Sequence, residues 1–183
     1  MRVLKVGVQS SVNCCAVRQE DERQHSQERV ARVEKRYAVV FTCSDPRLRE
    51  AARAIDVQIM EHLGVSGIIP LSAPGMIGLY ADRSILDLPS IEKLKGDLFD
   101  KECQRRALER GLAAHIPFHN PCAVVIFGHD DCKGYPSQDQ AGSARVGAEV
   151  LRHRLRARAA FDGPVYPATL DLCPSPGWRV RML

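Results

Sequence analysis

Four short apolar runs along the chain predict the strands of a buried sheet. They cover residues 38–41, 66–71, 123–127 and 165–172. The first and third runs are continuously apolar, which is typical of parallel strands that are covered on both faces. The segments between the runs change to helical spacing. This alternation predicts an α/β fold, with a largely parallel central β-sheet of at least four strands flanked by helices.

The first predicted helix directly follows the first strand. Apolar residues recur at helical spacing from Leu48 to Leu63, with Ile55 and Ile59 between them. Pro46 stands at the first helical position and Gly64 just past the last, which is the usual asymmetry of helix ends. One helix over residues 46–63 is therefore expected.

Two further helices are predicted later in the chain. Residues 100–115 form the first, which Pro117 is expected to end. Its predicted inner face is Cys103, Ala107, Leu108 and Leu112. Residues 139–159 form a basic helix whose predicted buried positions are Val146, Val150, Leu151 and Leu155. Its arginines are expected to face solvent, with a polyanion site as the alternative; they are Arg145, Arg152, Arg154, Arg156 and Arg158.

The two ends of the chain carry weaker patterns. Residues 1–36 are interpreted as an N-terminal arm with a polar helix, and residues 37–183 as a single α/β domain. Cys14 and Cys15 are adjacent, so they are poorly placed to share one tetrahedral metal ion, and a terminal pair without a metal is favoured. The tail from residue 174 to residue 183 carries Trp178 and is expected to cover an edge of the sheet.

Composition excludes several classes of protein. A chain of 183 residues with 45% hydrophobic residues can bury a core. The formal net charge of +4 does not indicate a nucleic-acid partner. No apolar run is long enough to span a membrane, and no secretory segment is recognised, so a cytoplasmic protein is expected. Seven cysteines are an odd set without a disulfide-like spacing, which favours reduced thiols.

Chemistry-bearing residues follow two of the predicted strands. Cys43, Asp45 and Arg47 come at the end of the first strand, and His129 and Cys132 follow the strand over 123–127. Sites in open α/β sheets form outside the carboxyl ends of the strands. If the two strands are parallel neighbours, both cysteines and the histidine converge. Two thiolates and an imidazole are a zinc ligand set that leaves a fourth position open.

Each of these residues also has an ordinary structural interpretation. Asp45 before Pro46 is a good helix N-cap, and Cys43 and Cys132 alone would be buried apolar thiols. Their joint occurrence in this order favours a zinc site. A second His-x-x-Cys, His119 to Cys122, precedes its strand and is expected at the amino end of the sheet, remote from the site.

The pattern Cys43-x-Asp45-x-Arg47 followed by His129-x-x-Cys132 resembles the signature of the β-class carbonic anhydrases. The resemblance implies that Cys43, His129 and Cys132 bind Zn²⁺. It also implies that Asp45 and Arg47 form a catalytic dyad beside the metal, or that Asp45 takes the fourth metal position in a closed state. N-terminal helices of this family pack on a partner subunit, which implies a homodimer or a multiple of dimers.

The chain departs from the family in three places. Residues 71–75 replace an Arg-Asn-Ala-Gly loop, Lys133 stands where a glycine usually follows the second cysteine, and residues 79–99 hold an apparent insertion. This insertion either shapes the pocket mouth or lies on the surface.

The resemblance implies an enzyme that hydrates carbon dioxide reversibly to bicarbonate and a proton, by means of a zinc-bound hydroxide. Asp45 would orient or deprotonate the water, held by Arg47. Two alternatives stay open. The same zinc site could hydrolyse carbonyl sulfide or carbon disulfide, or the protein could be a catalytically inactive zinc-binding relative.

Overall fold

The structure is a computed structural model, and it describes residues 35–173 and 177–183. Residues 36–183 form one compact unit. The predicted N-terminal arm, except for its last two residues, lies outside the described residues, as does the Cys14–Cys15 pair. The domain boundary and the homodimer stay predictions.

The centre of the unit is a five-stranded sheet, in which the strand order is β2-β1-β3-β4-β5. The strands are β1 (Tyr37–Cys43), β2 (Gly67–Ala73), β3 (Ala123–His129), β4 (Val165–Cys173) and β5 (Gly177–Met182). The first four strands run parallel, and β5 pairs antiparallel with β4. The predicted α/β fold and its largely parallel sheet are therefore confirmed, and the tail covers an edge as expected.

Helices connect the parallel strands, as a parallel order requires. They are α1 (Pro46–Glu50), α2 (Ala52–Leu63), α3 (Asp97–His119) and α4 (Gln140–Ala159). Three short 3₁₀ helices, Met76–Leu79, Arg83–Asp87 and Ile91–Lys93, lie between β2 and α3. None of the helices in the described ranges is both long and apolar enough to cross a membrane.

The two faces of β1 separate two apolar clusters. Val39 and Phe41 pack with residues of α3, α4 and the 3₁₀ segment. Val40 and Cys43 pack with residues of α1, α2 and β5. Residues of the apparent insertion, such as Ile85, belong to the first cluster and are buried. A few side chains of the insertion are thus part of the core, and most of its other residues are exposed.

Two helix boundaries differ from the prediction. The helix expected over 46–63 is interrupted at Ala51, which has φ −90° and ψ 0° and separates α1 from α2. The helix expected to stop before Pro117 continues through it to His119. A proline in the last turn removes only one hydrogen bond, and the helix ends at Asn120 in the left-handed region, whose N–H donates to the carbonyl of Ile116.

The predicted inner face of α3 is correct for Leu112 and in part for Leu108, which is half-buried and packs against the first cluster, but Ala107 is exposed. The buried residues of α3 are Glu102, Arg105, Glu109 and Leu112. Arg154 of α4, predicted to face solvent, is 5% exposed. It donates to the carboxylates of Glu102 and Glu109, and this pairing is what makes the burial of these charges tolerable.

Candidate metal centre

Two chain corners meet at the carboxyl edge of the sheet because β1 and β3 are parallel neighbours. Cys43 is the last residue of β1, His129 is the last residue of β3, and Cys132 follows three residues later. The two sulfur atoms are 4.0 Å apart. The ligand atoms of all three residues lie within 4.8 Å of one another. The structure therefore brings together the three residues predicted to bind a metal.

The orientation of His129 leaves one ring nitrogen for a metal. Its Nδ1–H donates to the backbone carbonyl of Asp130 at 2.9 Å. A carbonyl oxygen can only accept, so Nδ1 carries the proton, and in the neutral ring Nε2 presents its lone pair. Nε2 is buried and has no hydrogen-bond partner within the described part of the chain. A buried acceptor of this kind needs a partner, and a metal ion supplies one.

The spacing of the sulfurs fits zinc. Tetrahedral geometry with Zn–S bonds of about 2.3 Å places two thiolate sulfurs roughly 3.8 Å apart, close to the observed 4.0 Å. Two sulfurs and one imidazole nitrogen are borderline-soft donors, the type that zinc takes in proteins. The residues present therefore fit a zinc ion with one coordination position left open.

The two thiols differ in acidity. Burial raises the pKa of Cys43, but His129 in its protonated form and the backbone N–H groups of Gly75 and Asp45 outweigh it and lower the pKa to about 7. Burial and the neighbouring Cys43 raise the pKa of Cys132. A divalent cation between the sulfurs would favour both thiolates.

The loop that follows β2 is packed tightly against the loop that carries Cys132. Gly75 has φ +56°, and a Cβ added to it would lie 2.4 Å from the carbonyl oxygen of Gly134. Gly134 and Tyr135 direct backbone N–H groups at Cys132 and oppose the increase of its pKa. Lys133 therefore does not remove backbone contacts from the thiolate; the next two residues provide them.

Asp45 and Arg47 form the expected pair on the first corner. The Arg47 Nε donates to Asp45 Oδ1 at 3.0 Å, and Nη2 donates to Oδ2 at 2.7 Å. The backbone N–H of Arg47 also donates to Oδ1, so Asp45 is the N-cap of α1 as well. The Arg47 hydrogen bonds lower the pKa of Asp45 to about 2. Both carboxylate oxygens of Asp45 are thus held by Arg47 in this structure.

Arg47 also connects the two corners, through contacts that the sequence did not reveal. Its Nη1 donates to the carboxylate of Asp131 at 3.1 Å, and its Nη2 donates to the Asp131 carbonyl at 3.0 Å. Asp131 has φ +53°, a conformation that Asp adopts more readily than most residues. The His-x-x-Cys spacing could have indicated Asp131, since a residue between the two ligands must lie near the site.

Trp178 forms one side of the site. Its ring lies 5.8 Å from the Arg47 guanidinium carbon and makes an edge contact with His129 at 5.9 Å between centroids. Trp178 is 8% exposed. The sequence placed it only in a tail that covers the sheet, because its position depends on the antiparallel pairing of β5 with β4.

A cavity of about 220 Å³ opens beside Cys43 and Asp45. Most of its wall is apolar: Val40, Leu48, Ala52, Ile55 and Pro70. Asp56 of α2 also lines it, and burial raises the pKa of this carboxyl. Within the described part of the chain, Asp56 has no hydrogen bond or ion pair. No sequence signal distinguished Asp56, since it adjoins the apolar stripe of an ordinary helix.

The second His-x-x-Cys lies at the opposite edge of the sheet, as predicted. Cys122 donates its backbone N–H to the carbonyl of Tyr37, the first residue of β1. The ring of His119 packs on Tyr37 and His115. These residues take no part in the metal centre.

The fold and the site define an α/β protein that carries a Cys₂His metal-ligand set and an Asp–Arg pair at the carboxyl edge of a parallel sheet. No protein-family model matches the chain. No curated protein matches it either.

Among solved structures, the chain is similar to the β-carbonic anhydrase CafA of the fungal pathogen Aspergillus fumigatus. The two share 14% sequence identity, with a TM-score of 0.35. The match covers 92% of this chain and 88% of that one. A similarity of this size does not assign a family.

Proposed function

We propose that this protein is a zinc-dependent carbonic anhydrase of the β class. The observation that supports the proposal is the convergence of Cys43, His129 and Cys132 within 4.8 Å of one another. The Asp45–Arg47 pair beside them matches the sequence signature of that class in residue type and order. A bound zinc ion would supply a Lewis acid that makes water a nucleophile near neutral pH.

Asp45 is the residue that orients the water. Two thiolate ligands balance the charge of a divalent ion, so they acidify water less than three neutral histidines would, and a nearby carboxylate compensates. Arg47 keeps Asp45 ionised, as the pKa of about 2 indicates. An ionised carboxylate accepts a hydrogen bond from water and so directs the oxygen lone pair towards the substrate.

The cavity beside Cys43 and Asp45 suits a small neutral substrate. Its largely apolar wall favours carbon dioxide over bulk water, and Asp56 disfavours retention of an anionic product such as bicarbonate. Carbonyl sulfide has a similar linear shape, and the assay below separates the two substrates.

The test measures carbon dioxide hydration by stopped-flow with a pH indicator, on full-length protein loaded with one equivalent of zinc. Wild type is expected to be active, and Asp45→Asn is expected to lose roughly 10²-fold to 10⁴-fold in kcat. The zinc content of the variant should stay at one per chain. Asp162→Asn is the matched control, because Asp162 also pairs with an arginine, Arg156, but on the exposed surface.

Activity is measured at both neutral and alkaline pH. A closed state, in which Asp45 takes the fourth metal position, is then not mistaken for inactivity. Hydrogen sulfide release from carbonyl sulfide, with slow carbon dioxide turnover, would replace the proposal by the hydrolase alternative. Stoichiometric zinc with neither activity at either pH would indicate an inactive relative.

A further inference from the structure

A buried ion network lies between α3 and α4, on the face of the sheet opposite to α1 and α2. Glu102 and Glu109 accept hydrogen bonds from Arg154, and Glu102 also accepts from Arg105. The four side chains are between 2% and 6% exposed. Two carboxylates and two guanidiniums balance, so the buried part of the network has no net charge.

Additional positive charge surrounds this neutral centre. Arg106 donates only its Nε to Glu102, at 3.0 Å, and its side chain is 29% exposed. Arg158 approaches Glu102 and Glu109 only at 3.5 Å, with its side chain 38% exposed. Glu102 and Glu109 already accept hydrogen bonds from Arg105 and Arg154. They therefore leave some N–H donors of Arg106 and Arg158 without an acceptor among the described residues.

A third arginine, Arg110, has no partner among the described residues. Arg110 lies one turn beyond Arg106 on α3 and makes no hydrogen bond or ion pair with any described residue. Two arginines four residues apart on one helix repel each other. Together Arg106, Arg110 and Arg158 surround a hollow of about 230 Å³, and Glu109 is the one carboxylate in its lining.

We propose that this hollow is a binding site for a small phosphate anion. Guanidinium groups present planar pairs of N–H donors that match phosphate oxygens. The N–H groups of Arg110 and Arg158 and both Nη groups of Arg106 are not used in hydrogen bonds to the described residues. The buried network holds the carboxylates beneath the hollow in place, so the site is supported from within the fold.

The size and charge of the hollow favour a small phosphate compound over a nucleic acid. A volume of about 230 Å³ holds a phosphate group and its immediate substituent. Three arginines form a local patch on a chain whose formal net charge is only +4. The hollow shares no lining residue with the cavity beside Cys43, so the site does not depend on the proposed zinc chemistry.

The test is isothermal titration of the full-length protein with pyrophosphate and inorganic phosphate, at constant ionic strength. Wild type is expected to bind one equivalent. The double variant Arg110→Gln/Arg158→Gln is expected to bind at least about tenfold more weakly, as the loss of two charge-assisted contacts implies. Arg145→Gln/Arg156→Gln is the matched control, because it removes the same charge from exposed positions of α4 outside the hollow, and it should stay within about twofold of wild type.

Protection from phenylglyoxal, read by mass spectrometry, provides a second measurement. Pyrophosphate should protect Arg110 and Arg158 but not Arg156. The proposal is overturned if wild type does not bind, if both double variants weaken equally, or if protection is uniform. A short single-stranded oligonucleotide that binds more tightly than pyrophosphate would identify a nucleic-acid surface instead.

Discussion

Replacing Gly75 by alanine tests whether the contact between the loop after β2 and the loop of Cys132 positions the candidate metal ligands. Gly75 has φ +56°, and its new Cβ would lie 2.4 Å from the carbonyl oxygen of Gly134. That oxygen is a backbone atom, so it cannot rotate away as a flexible side chain could. The two loops must therefore separate by about 1 Å to restore normal contact distances.

The expected destabilisation has two parts. Placing a non-glycine residue in the left-handed region costs roughly 1–2 kcal/mol. Overpacking against a fixed neighbour adds roughly 1–3 kcal/mol. Gly64→Ala provides the control for the first part, since Gly64 has φ +60° and a Cβ there meets no atom within 4 Å. Gly75→Ala is thus expected to lose about 2–5 kcal/mol, against about 1–2 kcal/mol for Gly64→Ala.

Urea unfolding measures both values, and zinc titration with a competing chelator gives the consequence for the site. Gly75→Ala should also weaken zinc binding, because the backbone N–H of Gly75 helps to lower the pKa of Cys43. Gly64→Ala should bind zinc like wild type. Equal unfolding free energies and equal zinc affinities for the two variants would refute the role of the loop contact.

Three further predictions concern single side chains of the site. Asp45→Asn keeps the helix cap but loses the ionic pair, so it should destabilise the fold by about 1 kcal/mol after screening of the partly exposed Arg47. The pKa of Asp45 in the folded protein is lowered to about 2, from an ordinary value near 3.8. The difference in unfolding free energy between wild type and variant, measured with urea, should therefore be complete above the ordinary pKa. It should disappear as the pH falls to about 2. Cys132→Ser should reduce bound zinc well below one per chain by atomic absorption, whereas Cys103→Ser, outside the site, should leave it unchanged. Asp56→Asn removes a negative charge beside Cys43, so azide should inhibit about threefold more strongly; an unchanged inhibition constant would place Asp56 outside the path of anions.

The convergence of the three candidate metal ligands could be predicted because the signals for it are local. The apolar run over 38–41, followed by Pro46, marks the end of β1, and the run before His129 marks the end of β3. Because β1 and β3 are parallel neighbours, their carboxyl ends lie at the same edge of the sheet. Cys43, His129 and Cys132 are therefore expected at that edge. No knowledge of side-chain packing was needed for this step.

The inner face of α3 could not be predicted in the same way. Hydrophobic periodicity assumes that charged residues face solvent, but Glu102 and Glu109 are buried because Arg154, which is 52 and 45 residues away in sequence, reaches them from α4. Trp178 and Asp131 were missed for a related reason. Their roles depend on contacts to Arg47, which only the folded arrangement of β5 and of the second corner creates.

Each candidate metal ligand is positioned by a different backbone contact, which explains how a site assembled from distant segments can have defined geometry. The carbonyl of Asp130 fixes the ring of His129, the N–H of Gly75 is directed at Cys43, and the N–H of Gly134 is directed at Cys132. These contacts belong to the fold itself, since the loops of Gly75 and Gly134 abut directly. Arg47 then joins Asp45 of the first corner to the second corner. A substitution that moves one corner relative to the other should therefore affect metal affinity and the Asp45 geometry together, although it touches none of the ligands.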